Sequence, residues 1–505
     1  MSLEESLKTE LNPQQYRAVT TLEGPILIIA GAGSGKTLTI AAKVKYLVEV
    51  CKVKPEKILL LAFTRKSAGE MTERIVNKFG VNVKASTFHS LGYRIIYDVE
   101  GQKLRIPENS ESIFYNFFEN VAINNKKLIE QIKAFSKINE KISKDKIKSL
   151  SKLVYTFINL LRSRSGKISD IIRQNSDSGL LDERDKLFLN IANNAQIYYE
   201  NELRAKQLID YNDMIIRSAE YIEHGKWKPK YEYVIIDEYQ DISFSRYRLV
   251  NAIVKTSNSS LMCIGDDWQS IYRFTGSDVD LITNFKKYWG TFKKMKIEYN
   301  YRNTQENIDI SAAFVLKNPK QLSKKLVSSR HIKNPFKAII YGSPSNMQAS
   351  NATEAFIMAL NDINQINGSK KINILLLGRN NADISMIFPE NKNYLGIKYI
   401  KEEDDIFLKC DKYPNMNISF LTVHRAKGLE ADYVIIVNMK SGITGFPNRI
   451  ADDNVMRFVL SEPDDYEYAE ERRLFYVAAT RSKNITYLLV PDRHPSVFVK
   501  EIISN

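Results

Sequence analysis

The chain has 505 residues, length for about two to four domains, and its 44% hydrophobic and 26% charged composition is that of a globular protein with ample core. Lys and Arg outnumber Asp and Glu by 73 to 59, a net charge of +14 at pH 7, which favours a polyanionic partner. The longest apolar runs, such as Ile58–Phe63, are strand-length and far short of the ~20 residues of a membrane span, so no membrane role is expected.

The opening MSLEESLKTE is acidic and carries no apolar segment, so no secretory leader is expected. Short apolar runs follow, separated by amphipathic stretches. Ile26–Ala30, Ile58–Phe63, Tyr233–Asp237 and Leu261–Gly265 form one group; Ile339–Tyr341, Ile372–Leu377, Ile418–Thr422, Tyr433–Val437 and Ile485–Val490 form another. Such runs between helices predict parallel strands covered on both faces. The expected fold class is α/β, with two parallel-sheet domains. Residues 91–205 break the rhythm. From Asn124 to Arg173 apolar residues recur among lysines (Ile129, Ile132, Phe135, Ile138, Ile142, Ile147, Leu150, Leu153), which predicts a helical insertion with a basic face, either solvated or facing a partner. The expected division is 1–90 with 206–285 for the first domain, 91–205 for the insertion and 286–505 for the second domain. Cys51, Cys263 and Cys410 stand alone without a CxxC pair, which argues against a zinc site or a disulfide framework and fits a reducing cytoplasm.

Ala30–Thr37 reads AGAGSGKT, between the first predicted strand and a helix beginning near Leu38. Gly31, Gly33 and Gly35 let backbone N–H groups curl round phosphate oxygens, and the helix N-terminus adds partial positive charge. Lys36 then reaches the β- and γ-phosphates and the Thr37 hydroxyl is placed for Mg²⁺. Ala30, Ala32 and Ser34 complete the expected ATP-binding loop, Ala30 standing where the strict pattern has Gly. The strand ending at Asp237 delivers two adjacent carboxylates: Asp237 suits Mg²⁺, and Glu238 suits polarising the attacking water.

At these residues the sequence resembles superfamily 1 DNA helicases of the UvrD/Rep type, and through GDDWQSIYRF (Gly265–Phe274) it looks like the helicase IV branch. The resemblance covers nearly the whole chain, with motifs in family order. It implies two RecA-like motor domains, ATP and Mg²⁺ as cofactors, and 3′→5′ travel on single-stranded or tailed duplex DNA. LNPQQYRAV looks like the family's adenine-reading motif and puts Gln15 on the base. AFTRKSAGEMTERI, STFHSLG and DYNDM (Asp210–Met214) are similar to strand-binding motifs, implying DNA contacts at Phe63, Thr64 and His89. In GDDWQSIYRF, Gln269 takes the γ-phosphate sensor position, with Tyr272 and Phe274 towards DNA. EYNYRNT implies Tyr301 stacking on adenine and Arg302 as an arginine finger. TVHRAKGLEADYVII puts Gly428 and Glu430 at the nucleotide and His424 towards DNA, and EERRLFYVAATRSK supplies Arg481 as the second finger.

The chain also departs from the family. Only about 120 residues separate Arg302 from Thr422, so the family's large accessory domain is expected to be missing or vestigial. Ile485–Val490 is followed by PDRH alone before PSVFVKEI, so the aromatic wedge hairpin is expected to be short or absent. Leu38 replaces an arginine that stacks on adenine in relatives. Two readings follow: a DNA helicase, or a single-strand translocase that remodels complexes or powers a partner such as a nuclease. A structural DNA-binding protein with a dead ATP site is disfavoured by the full set Lys36, Asp237, Glu238, Gln269, Arg302 and Arg481. RNA as substrate, and the pathway (repair, replication, plasmid maintenance or antiviral defence), stay open.

Overall fold

The computed structural model describes residues 10–176, 181–342, 349–388, 396–402, 405–460 and 466–503. Its first sheet comprises β1 (Ile26–Ala30), β2 (Ile58–Ala62), β3 (Ser86–Thr87), β4 (Tyr233–Ile236), β5 (Ser260–Gly265) and β6 (Lys293–Ile297), all parallel in the order β3-β2-β4-β5-β1-β6. Side chains alternate between faces, and both faces are covered. Ile26, Ile28 and Ala30 join the core beneath helices Pro13–Thr20 and Lys36–Glu49. Leu27 and Ile29 join the opposite core, with Ile215, Ala219, Leu249 and Ile253 from helices Tyr211–Glu223 and Phe244–Ser257. Each Ile or Leu among them contributes roughly 1.5–3 kcal/mol on full burial, which is why β1 is apolar at every position.

The second sheet runs β7-β13-β12-β8-β11-β10-β9, made of β7 (Phe336–Tyr341), β8 (Ile372–Gly378), β9 (Ile397–Glu402), β10 (Asp405–Cys410), β11 (Met416–Thr422), β12 (Tyr433–Ile436) and β13 (Thr486–Pro491). β7, β13, β12, β8 and β11 are parallel, and β10 and β9 extend the edge antiparallel. After β13 the chain passes through Asp492–Ser496 into the helix Val497–Ile503, whose Phe498 packs against Phe314, Phe446 and Phe475.

Two expected boundaries move. β6 pairs with β1 and places residues 293–297 in the first sheet, beyond the expected limit at 285 and inside the range assigned to the second domain. Its sequence, KKMKI, exposes three lysines at the sheet edge, a charge pattern that blunts edge pairing and hides the strand from an apolar-run criterion. Helix Phe88–Glu100 packs Phe88, Leu91 and Ile95 into the first domain's core, so the insertion begins beyond Gly101 rather than at 91.

The insertion itself is helical: Ser110–Asn116, Lys126–Ser136, Lys144–Ser163, Ile168–Ser176 and Glu183–Ala205 surround Phe114, Phe157, Phe188 and Tyr199. Arg162 ties it to the first domain, donating to Asp210 at 2.5 Å and to Asp213, while the Tyr199 hydroxyl donates to Asp210 at 2.8 Å. Asp210 also caps the helix Tyr211–Glu223. In the DYNDM motif both carboxylates therefore serve this joint, not a strand of nucleic acid. No helix among the described residues is long and apolar enough to cross a membrane.

Candidate functional site

β1 ends at the glycine-rich loop and the helix Lys36–Glu49 leaves it, so the loop's N–H groups converge at a helix N-terminus. Gly33 and Gly35 have φ of +71° and +80°, where side-chain-bearing residues are strained. A Cβ at Gly33 would lie 2.6 Å from Arg302 Cβ, and one at Gly35 would lie 2.7 Å from Gln15 Nε2. Both glycines therefore supply conformation and clearance at once. Gln15 donates to the Ser34 carbonyl at 3.2 Å and completes a capping box with Asn12, whose amide donates to the Tyr301 hydroxyl at 3.1 Å. Tyr301 is half-exposed beside Tyr299 (4.7 Å between rings). Leu38 lies near Gly35; Asn12 and Tyr301 form the polar and aromatic rim here, and Gln15 is buried behind them.

Lys36 donates to Glu238 Oε2 at 3.1 Å, and Asp237 Oδ1 accepts the Glu238 N–H at 2.9 Å. Glu238 is held at φ +50°, a left-handed conformation uncommon for a non-glycine residue. Burial pushes the Asp237 carboxyl up to about 7, with Glu238 adding to the effect. Burial acts on Glu238 in the same direction, but Lys36 and Lys427 outweigh it and hold that carboxyl down to about 2. From Glu238 the contacts continue inward. Gln240 donates to Glu238 at 2.5 Å and accepts from Asp266 N at 2.9 Å, and Gln269 donates to Asp266 at 2.6 Å. Behind them Lys324, fully buried over the Trp268 ring, pairs with Asp266 and Asp267.

The second domain closes on this loop. Tyr301 N donates to the Gly33 carbonyl at 2.9 Å and the Asn300 amide to the Ala32 carbonyl at 2.8 Å. Glu298, just after β6, bonds Gln14 at both its backbone N–H (2.8 Å) and its carboxylate (3.1 Å). Arg481 Nη2 donates to Gln269 Oε1 at 3.0 Å. Burial, then Arg302, lowers the Arg481 guanidinium to about 9, so it stays charged at neutral pH. Arg302 Nε donates to Glu430 at 2.8 Å, and its buried Nη1 has no protein partner. Glu430 also meets Lys483 at 3.1 Å, while Gly428 holds φ +88° in the turn between Lys427 and Glu430. The unpartnered Arg302 nitrogen, the unpartnered Ser34 hydroxyl and the open glycine cradle together fit a polyphosphate.

Lys427 is a site residue that motif reading passed over. It crosses from the second domain to Asp241 Oδ2 (2.5 Å) and the Gln269 carbonyl (2.7 Å), and lies 4.9 Å from the Tyr272 ring. Its place inside HRAKGLE was visible, but its partner was not.

On the far side of the Tyr272 turn lies an aromatic surface. Phe63 stacks on Tyr272 (5.6 Å, 12°), the Tyr272 hydroxyl donates to the His424 carbonyl at 2.9 Å, and Phe274 meets His424 edge-on at 5.1 Å. Phe274 is 53% exposed, the open platform of the group. A cavity of about 490 Å³ next to it is lined by Phe63, Arg65, Thr87, His89, Tyr93 and Tyr211, among others. Thr64 is exposed at the head of helix Arg65–Glu73, accepting from Ser67 N. Burial lowers His89 and His424 to about 4, helped by Arg246 and Arg65 at the first and Arg379 and Lys427 at the second, so both are neutral at pH 7. Arg246, 4.7 Å over the Phe63 ring, has a buried nitrogen without a partner, and no sequence motif pointed to it.

A phosphate loop on one parallel sheet, faced across a cleft by two arginines carried by a second, defines a two-domain P-loop enzyme. A model of the UvrD/REP helicase N-terminal domain matches residues 11–289, and one of the UvrD-like helicase C-terminal domain matches residues 392–490. The chain is 30% identical to DNA helicase IV of Escherichia coli (strain K12), over 98% of its own length and 70% of that protein's. It is 31% identical to ATP-dependent DNA helicase PcrA of Leuconostoc citreum and 30% identical to the putative ATP-dependent DNA helicase YjcD of Bacillus subtilis (strain 168). Those matches take in 64% and 63% of this chain but only 41% and 40% of the relatives. The chain belongs to the UvrD/REP helicase family.

Proposed function

We propose that this chain is an ATP-dependent motor that travels 3′→5′ along single-stranded DNA and separates duplex as it goes. The observation that carries the reading is the pair Arg302 and Arg481, brought by the second domain over the P-loop of the first, with one Arg302 nitrogen unpartnered. In this reading Lys36 and the loop amides bind the β- and γ-phosphates, and Thr37 and Asp237 hold Mg²⁺, which screens phosphate charge. Glu238 leaves Lys36 to orient the attacking water. Arg302 and Arg481 stabilise charge on the transferring phosphoryl group, worth roughly 10³–10⁵ in rate. Hydrolysis therefore requires a closed cleft, and loss of the γ-phosphate favours opening. The Tyr272–His424 hydrogen bond joins the two domains at the aromatic surface, so closure re-spaces the stacking platforms along the strand. The travel direction follows from the family likeness alone.

A second reading, a translocase without strong unwinding of its own, is favoured by the direct passage from β13 through Asp492–Ser496 into helix Val497–Ile503, which leaves no room for a wedge hairpin there. A strand-displacement assay on a 3′-tailed duplex, run beside a tracking assay on single strands, separates the two: the helicase displaces, the translocase tracks only. Stimulation of ATPase by poly-dT but not poly-U is the expected sign of DNA preference.

A further inference from the structure

The second motor domain grips the helical insertion as well as the P-loop. Between β12 and helix Ala469–Ala479 the chain forms a short turn, Asn454–Phe458. Val455, Met456 and Val459 are buried in the insertion's own apolar core. Arg184, at the start of the insertion helix Glu183–Ala205, makes a fork to both Asp453 oxygens at 2.9 and 2.8 Å while lying 4.4 Å over the Phe135 ring. Arg457 pairs in return with Asp185, which is 1% exposed and completes that helix's capping box. Asp453 also caps its own turn, accepting from Val455 N at 3.1 Å.

The insertion thus has two joints. Arg162 with Asp210 and Asp213 fixes it to the first domain, with the Arg162 and Asp210 side chains each 6% exposed. At the joint to the second domain the Arg184–Asp453 pair is wetter, at 36% and 30%, beside the buried Asp185 and the apolar Val455, Met456 and Val459. Charge pairs closer to water hold less firmly. If the second domain swings away from the P-loop, the insertion stays with the first domain and the wetter joint parts.

We propose that Asp453–Leu460 is a latch that docks on the insertion when the nucleotide cleft closes, making Arg184 and Asp453 positioning residues for the closed state. The latch rests on the reading of the cleft as ATP-driven. It adds stability to the closed form alone, so it strengthens binding of a ligand that demands closure and not of one that tolerates the open form.

The test uses the full chain with Arg184→Gln, Asp453→Asn and the double variant, titrated with a non-hydrolysable ATP analogue and with ADP in the presence of oligo-dT. Each single variant is expected to weaken the analogue roughly three- to tenfold, with ADP changing less than about twofold. The double variant should cost no more than either single. Equal weakening of both nucleotides, or a double effect equal to the product of the singles, overturns the latch. Hydrogen exchange on the unmutated protein gives a second measure: amides 453–460 should exchange faster with ADP than with the analogue, and equal protection overturns the latch too. If the wild-type chain binds neither nucleotide, the proposed function falls and the latch falls with it.

Discussion

Lys427→Met removes the cation that crosses the cleft to Asp241, and the structure sets both the size and the pH dependence of the damage. The Lys427 and Asp241 side chains are 6% and 1% exposed, and the second Asp241 oxygen has no partner. Burial already pushes the Asp241 carboxyl up to about 6 with Lys427 pulling the other way. Without the lysine the folded-state pKa rises further, and Asp241 folds protonated. An acid whose folded pKa is raised binds its extra proton in the folded state, so stability falls as pH climbs from the unfolded pKa, near 4, to the folded one. In the wild type this decline ends near pH 6. In the variant it continues, at about 1.4 kcal/mol per pH unit. The destabilisation of Lys427→Met relative to wild type should therefore grow by about 3 kcal/mol between pH 6 and pH 8, in the range of a broken buried ion pair. This comes on top of a loss that is the same from pH 5 to 8, because Lys427 also holds the Glu238 carboxyl down. Urea midpoints measured from pH 5 to 8 read this directly, and Lys427→Met combined with Asp241→Asn should flatten the profile. A destabilisation that is the same at every pH would refute the account, because Lys427 would then not govern the charge of Asp241.

Arg481→Ala should lower the DNA-stimulated kcat by about 10³ or more while ADP affinity is kept, since the guanidinium acts on transition-state charge; a steady-state ATPase assay beside a fluorescent ADP titration checks it, and a loss under tenfold contradicts the finger role. Phe274→Ala should raise the KM for oligonucleotide activation roughly 5- to 150-fold, corresponding to about 1–3 kcal/mol of base stacking, equally for poly-dT and mixed sequence and with little change in kcat. Arg162→Met should cost about 3–5 kcal/mol in urea unfolding, because Asp210 and Asp213 lose their buried cation; a cost below about 1 kcal/mol would show the joint is not held by charge.

The parts of the fold that could be read in the sequence are those where burial is two-sided. β1, β2, β4, β5 and β12 announce themselves as apolar runs because helices cover both faces. β6 and β9 do not, because edge strands carry lysines and glutamates that face water, and β10, one strand in from the edge, carries Asp405 and Lys409. The phosphate loop was legible because its chemistry is local: three glycines, Lys36 and Thr37 act within eight residues. The structure brings Asp237, Glu238, Gln269, Arg302 and Arg481 to the same cleft, though more than 200 residues separate them from the loop. Their motif order signalled the meeting and the topology arranges it. Arg246 and the latch left no trace in sequence, since each depends on a partner supplied only by tertiary packing. The DYNDM motif shows the converse. Its residues match a strand-binding pattern, yet both of its carboxylates are committed to Arg162, and Tyr211 and Met214 are what it gives to the cavity.

The chain leaves the first sheet at Ile297 and by Asn300 is already bonded to the P-loop. Between these points Gln14 clamps Glu298 from a helix whose N-cap, Asn12, reaches the Tyr301 hydroxyl and whose buried Gln15 is bonded to the P-loop at Ser34. So short a crossing works as an axle and not as a tether: it leaves the halves little freedom to drift apart and confines them mainly to turning. On the proposed reading, the bearing of that axle is also the wall of the nucleotide's base site. Altering Asn12–Gln15 to change nucleotide choice would then also change how freely the halves turn, and the two should be hard to alter independently.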